Sequence, residues 1–225
     1  MLEVEKSLKR LNTDRLDLYL VHHFDSRTAM EETLRALDDL QRQGKIVHPA
    51  VSNWAAWQIA KALGLSAKDS LARFECIQPM YNLVKRQAEV ELLPLAASEQ
   101  LGVIPYSPLG GGLLTGKYGA DRKPAQGRLV EQQMYGRRYG DGRYYEIADR
   151  FSAYAREREV HPATLAVAWV MSHPAVTAPI VGARSVEQLE PSLAALQLNM
   201  TPEWREEISQ LSDAPPPATD RSEEA

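Results

Sequence analysis

The chain has 225 residues, 44% of them apolar and 25% charged, with a formal net charge of −4. That is enough for one large globular domain with a real core, and the acidic balance argues against a general nucleic-acid binder. A single cysteine, Cys76, excludes an internal disulfide framework, no apolar run is long enough to cross a bilayer, and MLEVEKSLKR has no signal-like apolar stretch, so the cytoplasm is the default expectation.

Residues 3–10 read as a helix with Val4, Leu8 and Leu11 on one face, stopped at Asn12. Residues 16–23 (LDLYLVHH) follow as a strand, and 28–43 as a helix with Met30, Leu34, Leu37 and Leu40 at three-to-four spacing and Gly44 at its end. The pattern repeats: strands at 46–52, 74–78, 103–106 and 176–181, and helices at 54–65, 87–101, 143–158, 162–172, 185–197 and about 201–211. Thr201 and Pro202 supply an N-cap and a first-turn proline for the last helix. Pro49 and Pro179 fall inside expected strands, where each removes a ladder donor. Residues 213–225 are Pro-rich and then charged, and are expected to be a disordered tail after a folded part at 1–212.

Alternation of strands and helices implies parallel βαβ units. No GxGxxG follows a strand, so the alternative is a (β/α) barrel. Five units cannot close an eight-unit barrel, so the expected fold class is α/β, a partial (β/α)8 TIM barrel lacking roughly the first three β/α units.

Barrel enzymes place their chemistry at the C-terminal ends of strands. His22 and His23 lie at such an end, and adjacent strand residues point to opposite faces, which argues against one metal held by both. No metal is expected. His22 reads either as a hydrogen-bond donor to a carbonyl or as a surface histidine. Ser52 and Asn53 follow a strand and precede a helix; they could cap it, or with Gln78 at the next strand end could bind a carboxamide. In residues 104–119, Tyr106 offers a stacking face, Gly110, Gly111 and Gly112 close backbone approach with N–H groups able to hold phosphate, and Lys117 a cation. A flexible loop with a solvated lysine is the plainer reading. Gly182, Arg184 and Ser185 open a helix, either as a simple cap or as a phosphate site. The Arg- and Tyr-rich run 135–145 could suggest single-stranded nucleic acid, but the acidic total favours a lid or a surface loop.

The runs SLKRLNTDRLDLYLVHH (7–23), GKIVHPAVSNW (44–54), IQPMYNLV (77–84), GVIPYSPLGGGLLTGKY (102–118) and APIVGARSVEQLE (178–190), in this order, resemble the aldo-keto reductase family up to about residue 211. The resemblance implies a (β/α)8 barrel and NADPH-dependent reduction of a small carbonyl substrate to an alcohol. It implies that His22 is the catalytic histidine orienting the carbonyl, and that Ser52, Asn53 and Gln78 bind the nicotinamide carboxamide. It further implies that Tyr106 stacks on nicotinamide, that Ser107, Leu109, Gly111 and Lys117 form the pyrophosphate loop, and that Gly182, Arg184 and Gln188 surround the adenosine phosphate, Arg184 favouring NADP over NAD. The sequence departs from the family at Ala50, Pro49, Pro191 and Ser192, and no position matches the family's catalytic aspartate, tyrosine and lysine. The chain is therefore expected to be a truncated reductase, inactive alone, or else a non-catalytic nicotinamide-cofactor-binding or regulatory protein of the same fold. A hydrolase is disfavoured, since neither a nucleophile elbow nor a metal cluster is visible. No membrane or nucleic-acid partner is expected, and substrate and oligomeric state are not legible.

Overall fold

The computed structural model describes residues 2–219, in two compact units. Among the described residues the first comprises 2–79 and 91–104, the second 80–90 and 105–219.

The first unit is a parallel α/β layer. Its elements are α1 (Leu2–Leu11), β1 (Leu16–Val21), α2 (Met30–Arg42), β2 (Ile46–Ser52), α3 (Ala56–Asp69), β3 (Cys76–Gln78), α4 (Leu92–Ser98) and β4 (Gly102–Val103). The four strands lie in the order β1-β2-β3-β4, all parallel. Helix α2 buries Met30, Leu34, Leu37 and Leu40, the stripe its spacing predicts, and ends before Gly44 at φ +71°. Helices α3 and α4 bury Ile59, Ala62, Leu93 and Ala96. The sheet contributes Ile46, Val51, Ile77 and Val103 to the core. Asn12 stops α1 in the left-handed region at φ +51°, which asparagine tolerates.

Pro49 sits inside β2 without breaking it. Its carbonyl accepts from the Glu75 N–H at 2.9 Å, while the β2–β3 ladder begins only at Ala50 and Cys76. A strand residue's N–H and C=O face the same neighbour, so the donor that proline lacks falls beyond the ladder.

The expected helix over 87–101 is two pieces, a 3-10 turn at Gln87–Glu89 and then α4. Pro94 cannot donate backwards, so a continuous helix is interrupted and restarts with proline in its first turn.

The second unit is mostly helical. After a 3-10 turn at Gly110–Thr115 come α5 (Arg128–Glu131), α6 (Gln133–Arg138), α7 (Gly142–Glu157), α8 (Pro162–Met171), α9 (Val186–Leu193), a 3-10 turn at Ala194–Gln197, and α10 (Pro202–Ser209). Side-chain caps start three of the helices. Asp141 accepts from the Arg143 N–H, the His161 ring from the Ala163 N–H, and Thr201 from the Trp204 N–H. Helix α8 is buried all round from Ala163 to Val170, as an apolar central helix must be.

Two strand expectations shrink. The 103–106 strand is β4 plus one bridge of Tyr106 to Met80, and 176–181 is not a fifth strand but one bridge of Ile180 to Tyr106. Prolines at 105 and 179 explain this, since neither nitrogen can donate; the surviving bond runs from the Ile180 N–H to the Pro105 carbonyl at 2.8 Å. The Arg- and Tyr-rich run, expected as a lid or loop, is partly helical as α6 and the start of α7. Residues 213–219 of the expected tail carry no helix or strand, and 220–225 lie outside the described residues.

Candidate functional site

In the first unit, the residues at the C-terminal ends of neighbouring strands form one hydrogen-bonded group. Ser52 ends β2 and is 1% exposed. Its hydroxyl donates to the Gln78 carbonyl at 2.9 Å and lies 3.4 Å from the Gln78 side-chain oxygen. The Asn53 amide donates to the Ser52 hydroxyl at 2.9 Å and to the His22 carbonyl at 3.0 Å. The link between β2 and β3 follows from register, because Ser52 pairs directly with Gln78. Asn53 adopts φ +58°, leaving the strand sharply before α3 begins. The cap expected of Ser52 and Asn53 is not what α3 uses; Ala55 is its N-cap, and the Gln58 side chain accepts the Ala55 N–H at 2.8 Å.

His22 and His23 are both exposed, with ring centroids 4.4 Å apart. No group of three or more His, Cys, Asp or Glu suited to a metal ion occurs among the described residues. Beside the histidines runs an aromatic chain, Phe24 edge-on to Trp54 at 5.0 Å and Trp54 to Phe74 at 5.4 Å.

In the second unit, Tyr106 is half-buried and bridges Met80 and Ile180. Burial pushes its hydroxyl above the ordinary phenol value, while the Arg138 charge opposes this. Ser107 is held at φ +59°. Leu109 packs on a small core of Val167, Ala168 and Ala195, which anchors the loop that it starts. The glycine run coils tightly. The Gly110 N–H donates to the Ser107 carbonyl and the Gly112 N–H to the Leu109 carbonyl, so these two donors are engaged within the loop. Positive φ at all three glycines explains the residue choice. At Gly111 a second reason applies, because a Cβ there would meet the Tyr135 ring at 2.9 Å. Lys117 is exposed, its ammonium 5.3 Å from the Tyr118 ring centroid.

Gly182, Arg184 and Gln188 are exposed at the start of α9. Ser185 occupies the N-cap position without a hydroxyl cap bond; the Gln188 side chain accepts the Arg184 N–H instead, at 3.2 Å. The Arg184 guanidinium lies 3.6 Å from the Glu131 carboxylate at the end of α5.

Sequence reasoning missed Asn82, Tyr135 and Tyr139, which support this loop. Asn82 follows a strand end, where asparagine reads as an ordinary turn residue, and only its complete burial marks it out.

The sequence profile described as "Aldo/keto reductase family" matches residues 1–213. The chain is 34% identical over 216 residues to the uncharacterized oxidoreductase YrpG of Bacillus subtilis, covering 94% of this chain and 63% of that protein. It is 36% identical over 212 residues to aldo-keto reductase family 7 member A3 of Homo sapiens, covering 87% and 63%. It is 34% identical over 210 residues to aflatoxin B1 aldehyde reductase member 2 of Mus musculus, covering 87% and 57%. The chain thus spans about three-fifths of the length of these curated relatives.

Proposed function

The chain belongs to the aldo/keto reductase family, and from that premise we propose that it carries most of the cofactor-binding residues of an NADPH-dependent carbonyl reductase, on the C-terminal part of a (β/α)8 barrel. The observation that carries this reading is the Ser52–Asn53–Gln78 group at the ends of β2 and β3. A carboxamide needs a donor and an acceptor side by side, and an amide pair around a buried hydroxyl offers both. The second unit, taken by itself, holds residues suited to parts of a dinucleotide: the Tyr106 ring for stacking, Ser107, Leu109, Gly111 and Lys117 for pyrophosphate, and Gly182, Arg184 and Gln188 for the adenosine phosphate.

Bound NADPH would supply the hydride that turns a carbonyl into an alcohol. The chain's own share is binding and orientation. His22, at the end of β1, donates a hydrogen bond to the carbonyl oxygen and aligns it. Arg184, an always-charged planar fork, pairs with the extra phosphate that distinguishes NADP from NAD.

No position matches the family's catalytic aspartate, tyrosine and lysine. The chain alone is therefore proposed to bind cofactor without turnover. The same observation favours a second reading, a non-catalytic nicotinamide-cofactor-binding or regulatory protein. Coding DNA upstream of Met1 separates the two: an in-frame segment bearing those residues supports the reductase, and a stop codon supports the binder.

Calorimetric titration with NADPH and NADH tests the shared core of both readings. Saturable binding that prefers NADPH is expected. A sample that is folded by circular dichroism and gives no heat with either cofactor overturns both.

A further inference from the structure

We infer that Asn82 and Tyr139 are positioning residues: from the buried side they fix the backbone of Tyr106 and Ser107, and through it the binding of the nicotinamide end of the dinucleotide. The inference rests on the cofactor reading above and assigns a task to residues that reading does not use.

Ser107 is the starting point. It bears a side chain yet sits at φ +59°, a conformation that L-residues with a Cβ avoid and that persists only where surroundings over-determine it. Those surroundings are specific. The Ser107 carbonyl accepts from the Asn82 side-chain amide at 2.9 Å and from the Gly110 N–H at 2.9 Å. The same Asn82 amide donates to the Tyr139 hydroxyl at 3.2 Å, and the Asn82 side-chain oxygen accepts from the Val84 N–H at 3.2 Å. Both Asn82 and Tyr139 are 0% exposed. The Tyr139 hydroxyl donates in turn to the Met80 sulfur at 3.6 Å, and Met80 is the bridge partner of Tyr106. The Tyr106 carbonyl accepts from the Tyr81 N–H at 3.3 Å.

Tyr139 directly follows α6, and the α5–α6 segment reaches the candidate site at two further points. The Tyr135 ring lies against Gly111, and Glu131 pairs with Arg184. One short segment therefore touches the stacking residue's neighbour, the glycine turn and the adenosine-phosphate arginine. A buried tyrosine serving the core alone needs only its ring; here the hydroxyl is spent on the asparagine that orients Ser107.

The test is Tyr139→Phe in the full chain, which keeps the ring and removes the hydroxyl. Affinity is measured for NADPH and for adenosine 2′,5′-bisphosphate, which lacks the nicotinamide and its ribose. Amide exchange at Gly110 and Gly112 is measured in the free protein. Expected are a loss of NADPH affinity of about three- to tenfold, the worth of one neutral hydrogen bond, a clearly smaller loss of bisphosphate affinity, because the bisphosphate meets the Ser107 loop with one phosphate only, and faster exchange at Gly110. Equal weakening of both ligands, or no change in either, overturns the inference. Failure of the unsubstituted chain to bind NADPH sinks the functional reading and the cofactor consequence drawn from it. Unaltered Gly110 exchange in the variant then overturns the positioning role as well.

Discussion

Arg184 is 64% exposed along its side chain and pairs with Glu131 only at 3.6 Å, so the pair adds little to stability and leaves the guanidinium open to exchange one anion for another. Arg184→Ala should weaken NADPH binding by about 10- to 100-fold, the range of a charge-assisted hydrogen bond, and leave NADH binding almost unchanged. Paired titrations with the two cofactors read this directly, and equal losses would count against the assigned phosphate contact. Gly111 offers a stability test. Gly111→Ala meets both a positive φ of +68° and the Tyr135 ring, and should cost about 1–3 kcal/mol by chemical denaturation.

Glu89 shows how charge is held inside the second unit. Its carboxylate accepts the Tyr81 hydroxyl at 2.5 Å and pairs with Arg86 at 2.9 Å and Arg205 at 3.8 Å. Burial pushes its pKa up, but the hydrogen bonds from Arg86 and Tyr81 and the charges of Arg86 and Arg205 together outweigh burial and hold it below 4.5. A depressed carboxylate contributes stability above its unfolded pKa, and that stability is lost as pH falls through the lower folded value. His173, lowered below 6.5 by burial and then by Arg205, acts with the same sign, because the folded state resists a proton that the unfolded chain accepts. Stability should therefore decline from about pH 6.5 downward and more steeply below about 4.5. Glu89→Gln should cost about 3 kcal/mol near neutrality, and its deficit should narrow in acid, as thermal melts across pH would show.

Among elements, α8 was readable from its unbroken apolar run, because a helix with no polar face has nowhere to go but the core. Its fastening was not readable. Trp169 donates its indole N–H to the Ser209 hydroxyl at 3.0 Å, and Arg205 of α10 lies over its ring at 4.5 Å and donates to its carbonyl. Trp169→Phe should cost about 2 kcal/mol, from one lost hydrogen bond and reduced packing, and should raise amide exchange in α10 more than in α7. The strands of the first unit were legible because alternation with helices leaves parallel pairing as the remaining option, and Ser52 and Gln78 came out side by side because both had been placed at strand ends. What failed near 105 and 179 failed for one reason. Apolar β-branched sequence marks strand preference, but proline nitrogens decide whether a ladder forms. The helices α5 and α6 escaped notice because residues 128–138 mix arginine, glycine and tyrosine without an apolar period.

For the whole chain, the folded part is expected to end at 212, and truncation on either side of that position tests it. The Ser212 hydroxyl donates to the Leu83 carbonyl, and Arg150 to the Leu211 carbonyl, whereas residues 216–219 are exposed. A chain ending at Asp213 should melt within about 1 °C of the full one, while one ending at Gln210 should melt a few degrees lower, chiefly from the part-buried Ser212–Leu83 bond at about 1 kcal/mol. Function was less legible than fold, since Asn82 and Tyr139 act through three-dimensional contacts that carry no spacing signal. The order of the sheet has a further consequence for how the chain is made. Each strand pairs with the one synthesised just before it, Leu16 with Ile46, Ala50 with Cys76 and Cys76 with Gly102, and each closure spans about 30 residues or fewer. Among the described residues, these four strands find their mutual partners within one βα unit, so this stretch of sheet can pair one strand at a time as it leaves the ribosome.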